Sequence, residues 1–358
     1  MKNKSLLGAV AVAVVALCLI SSVRADLKDD IVKLVGDNAT SYVHPLTNAL
    51  GAAMNAGWVN SSKSYSFLKL PFGVQLYFGI PVTMANDDLR TYDFYGTVQT
   101  ANLDSALSLI PGLPSVLTID VPDASTIIGD EEDKQVTMQE LLVANGVSAA
   151  DISMAVAAGL DVSQPVFALP GGMPHAADAP VVPMTLPVIG ANVGLPFKAQ
   201  VGLRMVPPLN VPGIGKAGMF GMKLQYEFTD LIPVLGSLPL VHTSAMYSFN
   251  NANLFDMLTL KNWQAMLNVS GDFSFLVGLG VYGGIGIQSS TMELSYTVPD
   301  DVVGLAGTKV NLEDKGDNSV VAQVGVRFTL SVFDIVADGT FGKTTSYFLG
   351  LGLGLNGL

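Results

Sequence analysis

The 358-residue chain has a formal net charge of −12, and its 18 Lys and Arg residues are scattered, so it lacks the clustered basic surface that nucleic-acid binding requires. Only 13% of the residues are charged and 49% are hydrophobic, and the mean hydropathy of +0.46 is high for a soluble secreted protein. The single cysteine, Cys18, excludes an internal disulfide bond and a thiolate metal site.

The N-terminus is predicted to be a secretory signal peptide covering residues 1–25. Two lysines in the first four residues precede an apolar or small run from Leu6 to Ile20, and Val23–Ala25 fits cleavage after Ala25. Cleavage there removes three basic residues and Cys18, which leaves a cysteine-free chain with a charge of −15. The signal peptide predicts export from the cytoplasm.

Residues 26–62 are predicted to form a helical hatch that plugs a barrel. Leu27, Ile31 and Leu34 follow helical spacing, and a second helix is expected over Pro45–Asn55. The residues expected to matter most in this hatch are Tyr42, Pro45, Asn55, Gly57 and Trp58.

Residues 63–358 are predicted to form an all-β fold, a transmembrane antiparallel β-barrel of about 12–14 strands. Every second residue is apolar in Phe197–Met205, and this alternation recurs in Phe220–Phe228 and Val320–Leu330. Each stripe is about ten residues long, which suits a tilted strand crossing a bilayer, and lipid accepts only helices or closed barrels. Tyr92–Gln99 is expected to be an early barrel strand.

A soluble β-sandwich is the alternative fold, because its strands also alternate. The water-exposed face of a sandwich is expected to be rich in Lys, Glu and Thr. The polar stripes of this chain often carry Gly, Ser, Gln and Asn instead, which favours the barrel. Lipid of the outer membrane and the barrel-assembly machinery are then the expected partners.

A large, partly helical insert is predicted at residues 101–187, where alternation fades and Pro, Gly, Ala and Asp dominate. Two Ser/Thr-x-x-acid patterns, beginning at Thr137 and Ser148, predict the starts of two helices. A non-strand insertion of this length is expected to serve as an extracellular loop or a second plug.

Four cations on the polar stripes are predicted to face the lumen and to bind the carboxylate of an amphipathic ligand. In the alternative interpretation they pin the plug, by pairing with Glu227 or Asp334 of the wall or with hatch acids such as Asp29 and Asp30. The four predicted lumen cations are Lys198, Arg204, Lys223 and Arg327.

No catalytic residue, cofactor or metal site is predicted. His242 and Ser244 share a face of one predicted strand, but a catalytic triad also needs an orienting group and an oxyanion site. The acidic run Asp130–Asp133 does not follow the alternating ligand spacing of an EF-hand loop, so a solvated loop is the preferred interpretation.

Three short motifs lie in the predicted hatch and barrel. They are Tyr42-x-x-Pro45 leading to Leu50-Gly51, then Asn55-Ala56-Gly57-Trp58, and Lys223–Glu227 with Ile232-Pro233. These motifs resemble the FadL-type family of hydrophobic-compound transporters, in particular FadL-like outer-membrane proteins of Bacteroidota-type bacteria. The resemblance implies a 14-stranded barrel, an N-terminal hatch, ligand capture at extracellular loops and lateral exit into the membrane. The Asn-Pro-Ala signature expected near the hatch of that family is missing here.

The sequence therefore predicts a plugged barrel in the outer membrane of a Gram-negative cell, which passively admits small hydrophobic or amphipathic molecules. The alternative function is a non-transporting structural or adhesion barrel that acts through its extracellular insert. An open porin is a third possibility, against which the predicted hatch argues.

Overall fold

The structure is a computed structural model. It describes residues 37–65, 73–84, 87–130, 132–172, 181–182, 187–211, 215–238, 240–254, 257–273, 278–297 and 309–355. The predicted signal peptide, the first predicted hatch helix and the hatch acids Asp29 and Asp30 lie outside these residues. Within the described ranges, no helix combines the length and the apolar character needed to span a bilayer.

Strands make up most of the described chain, and a few helices lie between them. The helices are α1 (Asp37–Asn55), α2 (Met138–Ala144), α3 (Ala149–Ala157) and α4 (Pro233–Gly236). The strands are β1 (Val74–Met84), β2 (Thr91–Gln99), β3 (Val116–Ser125), β4 (Lys134–Thr137), β5 (Pro165–Leu169), β6 (Val181–Val182), β7 (Val188–Leu195), β8 (Ala199–Val211), β9 (Gly215–Glu227), β10 (Val241–Leu254), β11 (Leu258–Phe273), β12 (Leu279–Thr297), β13 (Lys309–Lys315), β14 (Val320–Leu330), β15 (Phe333–Phe341) and β16 (Ser346–Leu355).

The chain divides into two compact units. Unit 1 holds the described residues from 46 to 84 and from 181 onwards, and unit 2 holds those from 37 to 45 and from 87 to 172. Helix α1 was expected to begin at Pro45, but it begins at Asp37 and contains Pro45. The division between the two units falls directly after this proline.

Ten antiparallel strands of unit 1 close into a ring in the order β1, β7, β8, β9, β10, β11, β12, β14, β15 and β16, with β16 pairing back to β1. Two further strands belong to the same sheet outside the ring, since β6 pairs with the end of β1 and β13 pairs with β12. Each strand of the ring has a neighbour on both sides, so the ring has no free edge. The prediction of an all-β transmembrane barrel is confirmed.

The prediction was 12–14 barrel strands; in the described part of the chain the sheet has twelve strands, and ten of them close the ring. Tyr92–Gln99 was expected in the barrel, but this segment is β2, which pairs with β3 in unit 2. Alternation of apolar and polar residues indicates a strand with one buried face, and it does not identify the sheet to which the strand belongs.

The two faces of the ring differ in polarity. On β16, Tyr347, Leu349 and Leu351 point outward and are exposed, while Phe348 and the glycines between them are buried inside. The same division holds on the other strands of the ring, whose exposed apolar side chains have no protein interior to enter. This outer surface is what a membrane barrel presents to lipid, and it excludes the β-sandwich alternative.

The described part of unit 2 contains two two-stranded antiparallel sheets and two short helices. Strand β2 pairs with β3, and β4 pairs with β5. The side chain of Thr137 caps α2 in a capping box with Glu140, and Ser148 caps α3, so both predicted helix starts are confirmed. Buried Leu141 and Leu142 of α2 contribute to a core. The described residues 87–172 thus belong to a compact unit other than the one that contains the ring.

Candidate functional site in the barrel lumen

Residues 46–65, called the lumen segment below, run through the inside of the ring. Near one end of the barrel Thr83 on β1 donates from Oγ1 to the carbonyl oxygen of Ala49, at 2.9 Å. Near the opposite end the backbone N–H of Ser64 donates to Oε2 of Glu227 on β9, at 2.8 Å. The segment therefore extends along the lumen between the two ends of the barrel.

Close contact with the wall requires a glycine at position 57. Gly57 has φ of +71°, a left-handed conformation that L side chains rarely adopt. A Cβ at this position would lie 2.3 Å from the ring of Phe348, which projects inward from β16. Phe348 also fills the space over Gly79 of β1, so its ring sits between the wall and the lumen segment.

Two of the predicted lumen cations hold this segment. Arg204 on β8 and Lys223 on β9 are 1% and 2% exposed. Arg204 Nη1 donates to the carbonyl oxygen of Ala56 at 2.7 Å, and Lys223 Nζ donates to that of Trp58 at 2.8 Å. The guanidinium carbon also lies 4.1 Å from the centre of the Trp58 ring, within reach of a cation–π interaction.

Neither cation forms an ion pair with a carboxylate in the part of the chain that the structure describes. For Arg204 and Lys223 the structure therefore shows no pairing with Glu227 or Asp334, and the hatch acids Asp29 and Asp30 lie outside the described residues. Burial of a charge costs several kcal/mol, and here backbone carbonyls, an aromatic face and the Asn250 side chain offset that cost.

Neutral amide side chains extend the same pattern. Gln264 on β11 donates to the carbonyl oxygen of Asn55, and Gln225 on β9 donates to that of Ser61, both at 2.8 Å. The Asn55 side chain in turn donates to Oε1 of Gln288 on β12 at 3.2 Å. Sequence reasoning missed these glutamines because it searched the polar stripes for charge. The sequence feature that could have identified them is a long, neutral hydrogen-bonding side chain at an inward-facing strand position.

Lys198 lies at the end of the barrel and not on a strand, and its Nζ is 3.9 Å from Oε1 of Glu227, a partner that the alternative interpretation named. Lys198 lies in the turn Pro196–Lys198 between β7 and β8, where its side chain is exposed and pairs with Asp230 at 2.5 Å. The hydrogen bond to Asp230 raises the pKa of Lys198 above its ordinary value. Phe197 and Lys198 both have positive φ, which breaks the alternation from which an inward direction was inferred.

Arg327 on β14 pairs with a different partner. Its Nη2 lies 2.7 Å from Oδ1 of Asp272 on β11, so the two form an ion pair within the wall. Arg327 therefore supports the wall, while Arg204 and Lys223 hold the lumen segment.

The predicted hatch residues divide between the two units. Asn55, Gly57 and Trp58 belong to the lumen segment, whereas Tyr42 and Pro45 belong to unit 2. Within that unit Tyr42 donates from its hydroxyl group to the carbonyl oxygen of Gly171 at 2.8 Å.

The structure also locates the residues that the sequence analysis considered for catalysis and for metal binding. Nδ1 of His242 lies 2.9 Å from Oε1 of Glu227. In unit 2 a cleft with a volume of about 630 Å³ is lined in part by Asp123, Asp130 and Asp133. Among the described residues, however, no group of three or more His, Cys, Asp or Glu side chains is placed to hold a metal ion.

The chain matches one protein family and has low similarity to several solved structures. Residues 1–355 match the "Family of unknown function (DUF6588)". No curated protein matches. Among solved structures, Ail, the attachment invasion locus protein of Yersinia pestis, is 14% identical over 44% of this chain and 95% of its own, with a TM-score of 0.26. The outer membrane protein OmpT of Vibrio cholerae is 9% identical over 79% and 98%, with a TM-score of 0.24.

A third similar structure is the TodX deltaS2S3 mutant, a monoaromatic hydrocarbon channel, which is 8% identical over 86% of this chain and 97% of its own, with a TM-score of 0.19. The assignment of this chain as a β-barrel of the outer-membrane type rests on its closed ring and apolar outer face. Membership of the FadL-type family is not confirmed, and the ring of ten strands differs from the fourteen that this resemblance implied.

Proposed function

The chain belongs to DUF6588, a family of unknown function, and we propose that it is a gated outer-membrane barrel for passive uptake of small hydrophobic or amphipathic molecules. The observation that carries this proposal is a lumen occupied by the chain's own segment, residues 46–65, which the wall holds through backbone carbonyls. Outer-membrane lipid and the barrel-assembly machinery are the further partners that this function implies.

The wall makes room for a separate segment. Gly221 faces inward from β9, and a Cβ there would lie 2.8 Å from Trp58. Gly194 on β7 lies so close to Tyr65 that a Cβ would overlap the Tyr65 carbonyl oxygen. Small barrels that need no passage can fill their lumen with wall side chains. A wall that leaves this space to a separate stretch of chain is what a movable gate requires.

The bonds that hold the lumen segment are replaceable. Each of the four donors, on Arg204, Lys223, Gln225 and Gln264, contacts a backbone carbonyl, and water or a solute offers the same kind of acceptor. When the segment moves, the cations of Arg204 and Lys223 become available to the carboxylate of an amphipathic ligand. This is the role that the sequence predicts for these two residues.

A disulfide lock tests the gate directly. The backbone N–H of Ser62 donates to Oγ of Ser270 on β11 at 3.0 Å, so Ser62→Cys with Ser270→Cys is expected to tie the segment to the wall. In proteoliposomes that contain the oxidised variant, saturable uptake of a fluorescent long-chain carboxylate is expected to be lost, and reduction is expected to restore it.

A matched control pair lies within the wall. The side chains of Asn253 on β10 and Thr259 on β11 are 3.2 Å apart and exposed, so Asn253→Cys with Thr259→Cys should leave uptake unchanged in both redox states. Equal uptake by locked and reduced protein, or uptake no faster than leakage into empty liposomes, would refute gated transport.

The second candidate function is a structural or adhesion barrel that acts through unit 2. One observation favours it: residues 87–178 contain fourteen acidic and two basic residues, so they carry a charge of −12, equal to that of the whole chain. Without the predicted signal peptide, the remaining residues contain sixteen acidic and thirteen basic residues, a charge of only −3. A strongly acidic unit is suited to a cationic partner.

Deletion of the acidic unit separates the two functions. When residues 88–178 are replaced by a short Gly/Ser linker, the adhesion function predicts that binding of cells to a cationic surface is lost while barrel assembly persists. The uptake function predicts that saturable uptake survives the deletion. Heat-modifiable mobility on a gel checks that the shortened barrel has folded.

A further inference from the structure

Two neighbouring turns at the end of the barrel where β1 begins expose large apolar side chains. Phe197, between β7 and β8, is 89% exposed, and in the connection from β9 to β10 Leu231 and Val234 are 71% and 73% exposed. These side chains point away from both the core and the lumen. The apolar rim, as this surface is called below, consists of Phe197, Leu231, Ile232, Val234, Leu238 and Leu240.

The rim has a defined conformation. Lys198 Nζ and Asp230 Oδ2 join the two turns at 2.5 Å, and the backbone N–H of Thr243 donates to Oγ1 of Thr229 at 2.8 Å. Phe197 and Lys198 have φ values of 62° and 61°, a conformation that is unfavourable for residues other than glycine. This strained turn directs the phenyl ring of Phe197 away from the protein. Contact of the ring with lipid is more favourable than contact with water.

The rim continues the surface that faces lipid. Leu224 and Tyr226 are exposed on the outer face of β9, and the connection that contains Leu231 and Val234 begins two residues after Tyr226. A tyrosine at this position is typical of the level where hydrocarbon meets the headgroups. Surface beyond that level lies within the headgroup region of the same leaflet.

We infer that the apolar rim is a lipid-docking surface, which inserts among the phospholipids of one leaflet at the boundary between headgroups and acyl chains. An aromatic ring, a short helix with exposed aliphatic residues and a lysine close by are the chemistry of interfacial binding. Lys198 pairs with both Asp230 and Glu227, so its charge is offset and docking depends on apolar contact and not on anionic lipid. This inference goes beyond uptake, because it does not depend on whether the lumen segment moves.

Site-directed spin labelling tests the inference on the whole protein. Val234→Cys is labelled with a nitroxide, with Cys18→Ser if that segment is retained, and the protein is reconstituted in phosphatidylcholine vesicles. The label is expected to be more accessible to oxygen, which partitions into lipid, than to a water-soluble nickel chelate. A label at Phe197→Cys is expected to behave in the same way.

Two labelled positions provide the reference values. Leu224→Cys lies on the lipid-facing side of β9, and Lys315→Cys lies on β13, where Lys315 is exposed. A rim label as accessible to nickel as the Lys315 label would overturn the inference. Dipolar broadening that grows with the ratio of protein to lipid would also overturn it, because the rim would then contact a second copy of the chain. Heat-modifiable mobility shows that each labelled barrel is folded, and no uptake measurement enters this test.

Discussion

Substitution of Gly57 tests how tightly the lumen segment fits against the wall. The φ of +71° is expected to cost Gly57→Ala about 1–2 kcal/mol, because an L side chain disfavours the left-handed region. The added methyl group would also lie 2.3 Å from the Phe348 ring, and overpacking of this kind costs about 1–3 kcal/mol. The two effects together predict a loss of about 2–5 kcal/mol.

Two other glycines separate these effects. Gly79→Ala would place a Cβ 2.1 Å from the same ring without a positive φ, so it measures the steric part. Gly112→Ala keeps a φ of +71° in open space, so it measures the conformational part. Urea unfolding of the barrel, followed by Trp58 fluorescence in a Trp263→Phe background, gives the free energies of unfolding for Gly57→Ala and Gly79→Ala. Circular dichroism of unit 2 gives that for Gly112→Ala. A Gly57→Ala loss no larger than that of Gly112→Ala would refute a close fit between the segment and Phe348.

Three further predictions concern single contacts. Arg204→Met leaves the carbonyl oxygen of Ala56 without its hydrogen-bond donor, which costs about 1–3 kcal/mol. Amide hydrogen exchange in residues 46–65 is therefore expected to accelerate, and unchanged exchange would contradict this. Thr137→Ala removes the cap of α2 and is expected to lower the stability of unit 2 by about 1 kcal/mol in thermal denaturation, whereas Thr137→Ser should retain most of it. Burial raises the pKa of Tyr92 to about 12 from 10.0, so the neutral form favours folding and its contribution is lost as pH rises from 10 to 12. Ultraviolet titration of the wild type against Tyr92→Phe measures this step, and a Tyr92 that ionises near pH 10 would contradict it.

Local patterns predicted local structure well. The alternation in Val320–Leu330 predicted which side chains of β14 face outward, because successive residues of a strand point to opposite faces. The Ser/Thr-x-x-acid patterns predicted where α2 and α3 begin, because a helix start needs side-chain acceptors within one turn. In both cases the information lies within a few neighbouring residues.

Features that depend on distant partners were not predictable in the same way. Tyr92–Gln99 alternates like a barrel strand, but its partner β3 removes it from the ring. The direction of the Lys198 side chain was not predictable, because the strand alternation breaks at Phe197. The backbone there is left-handed, and no glycine in the sequence indicates it. Arg204 and Lys223 were correctly placed on the inner face of the wall, but their partners are backbone carbonyls, which have no residue-type signature in a sequence.

The central claim, that the outer face of the ring meets lipid while the lumen segment is shielded from it, can be tested with the two tryptophans of the chain. Trp263 is 37% exposed on the outer face of β11, and Trp58 is 2% exposed in the lumen. In vesicles of brominated phosphatidylcholine, the fluorescence of Trp58→Phe, which retains Trp263, is expected to be strongly quenched, and that of Trp263→Phe, which retains Trp58, is expected to be nearly unaffected. Equal quenching of the two variants, or stronger quenching of Trp58, would contradict the account.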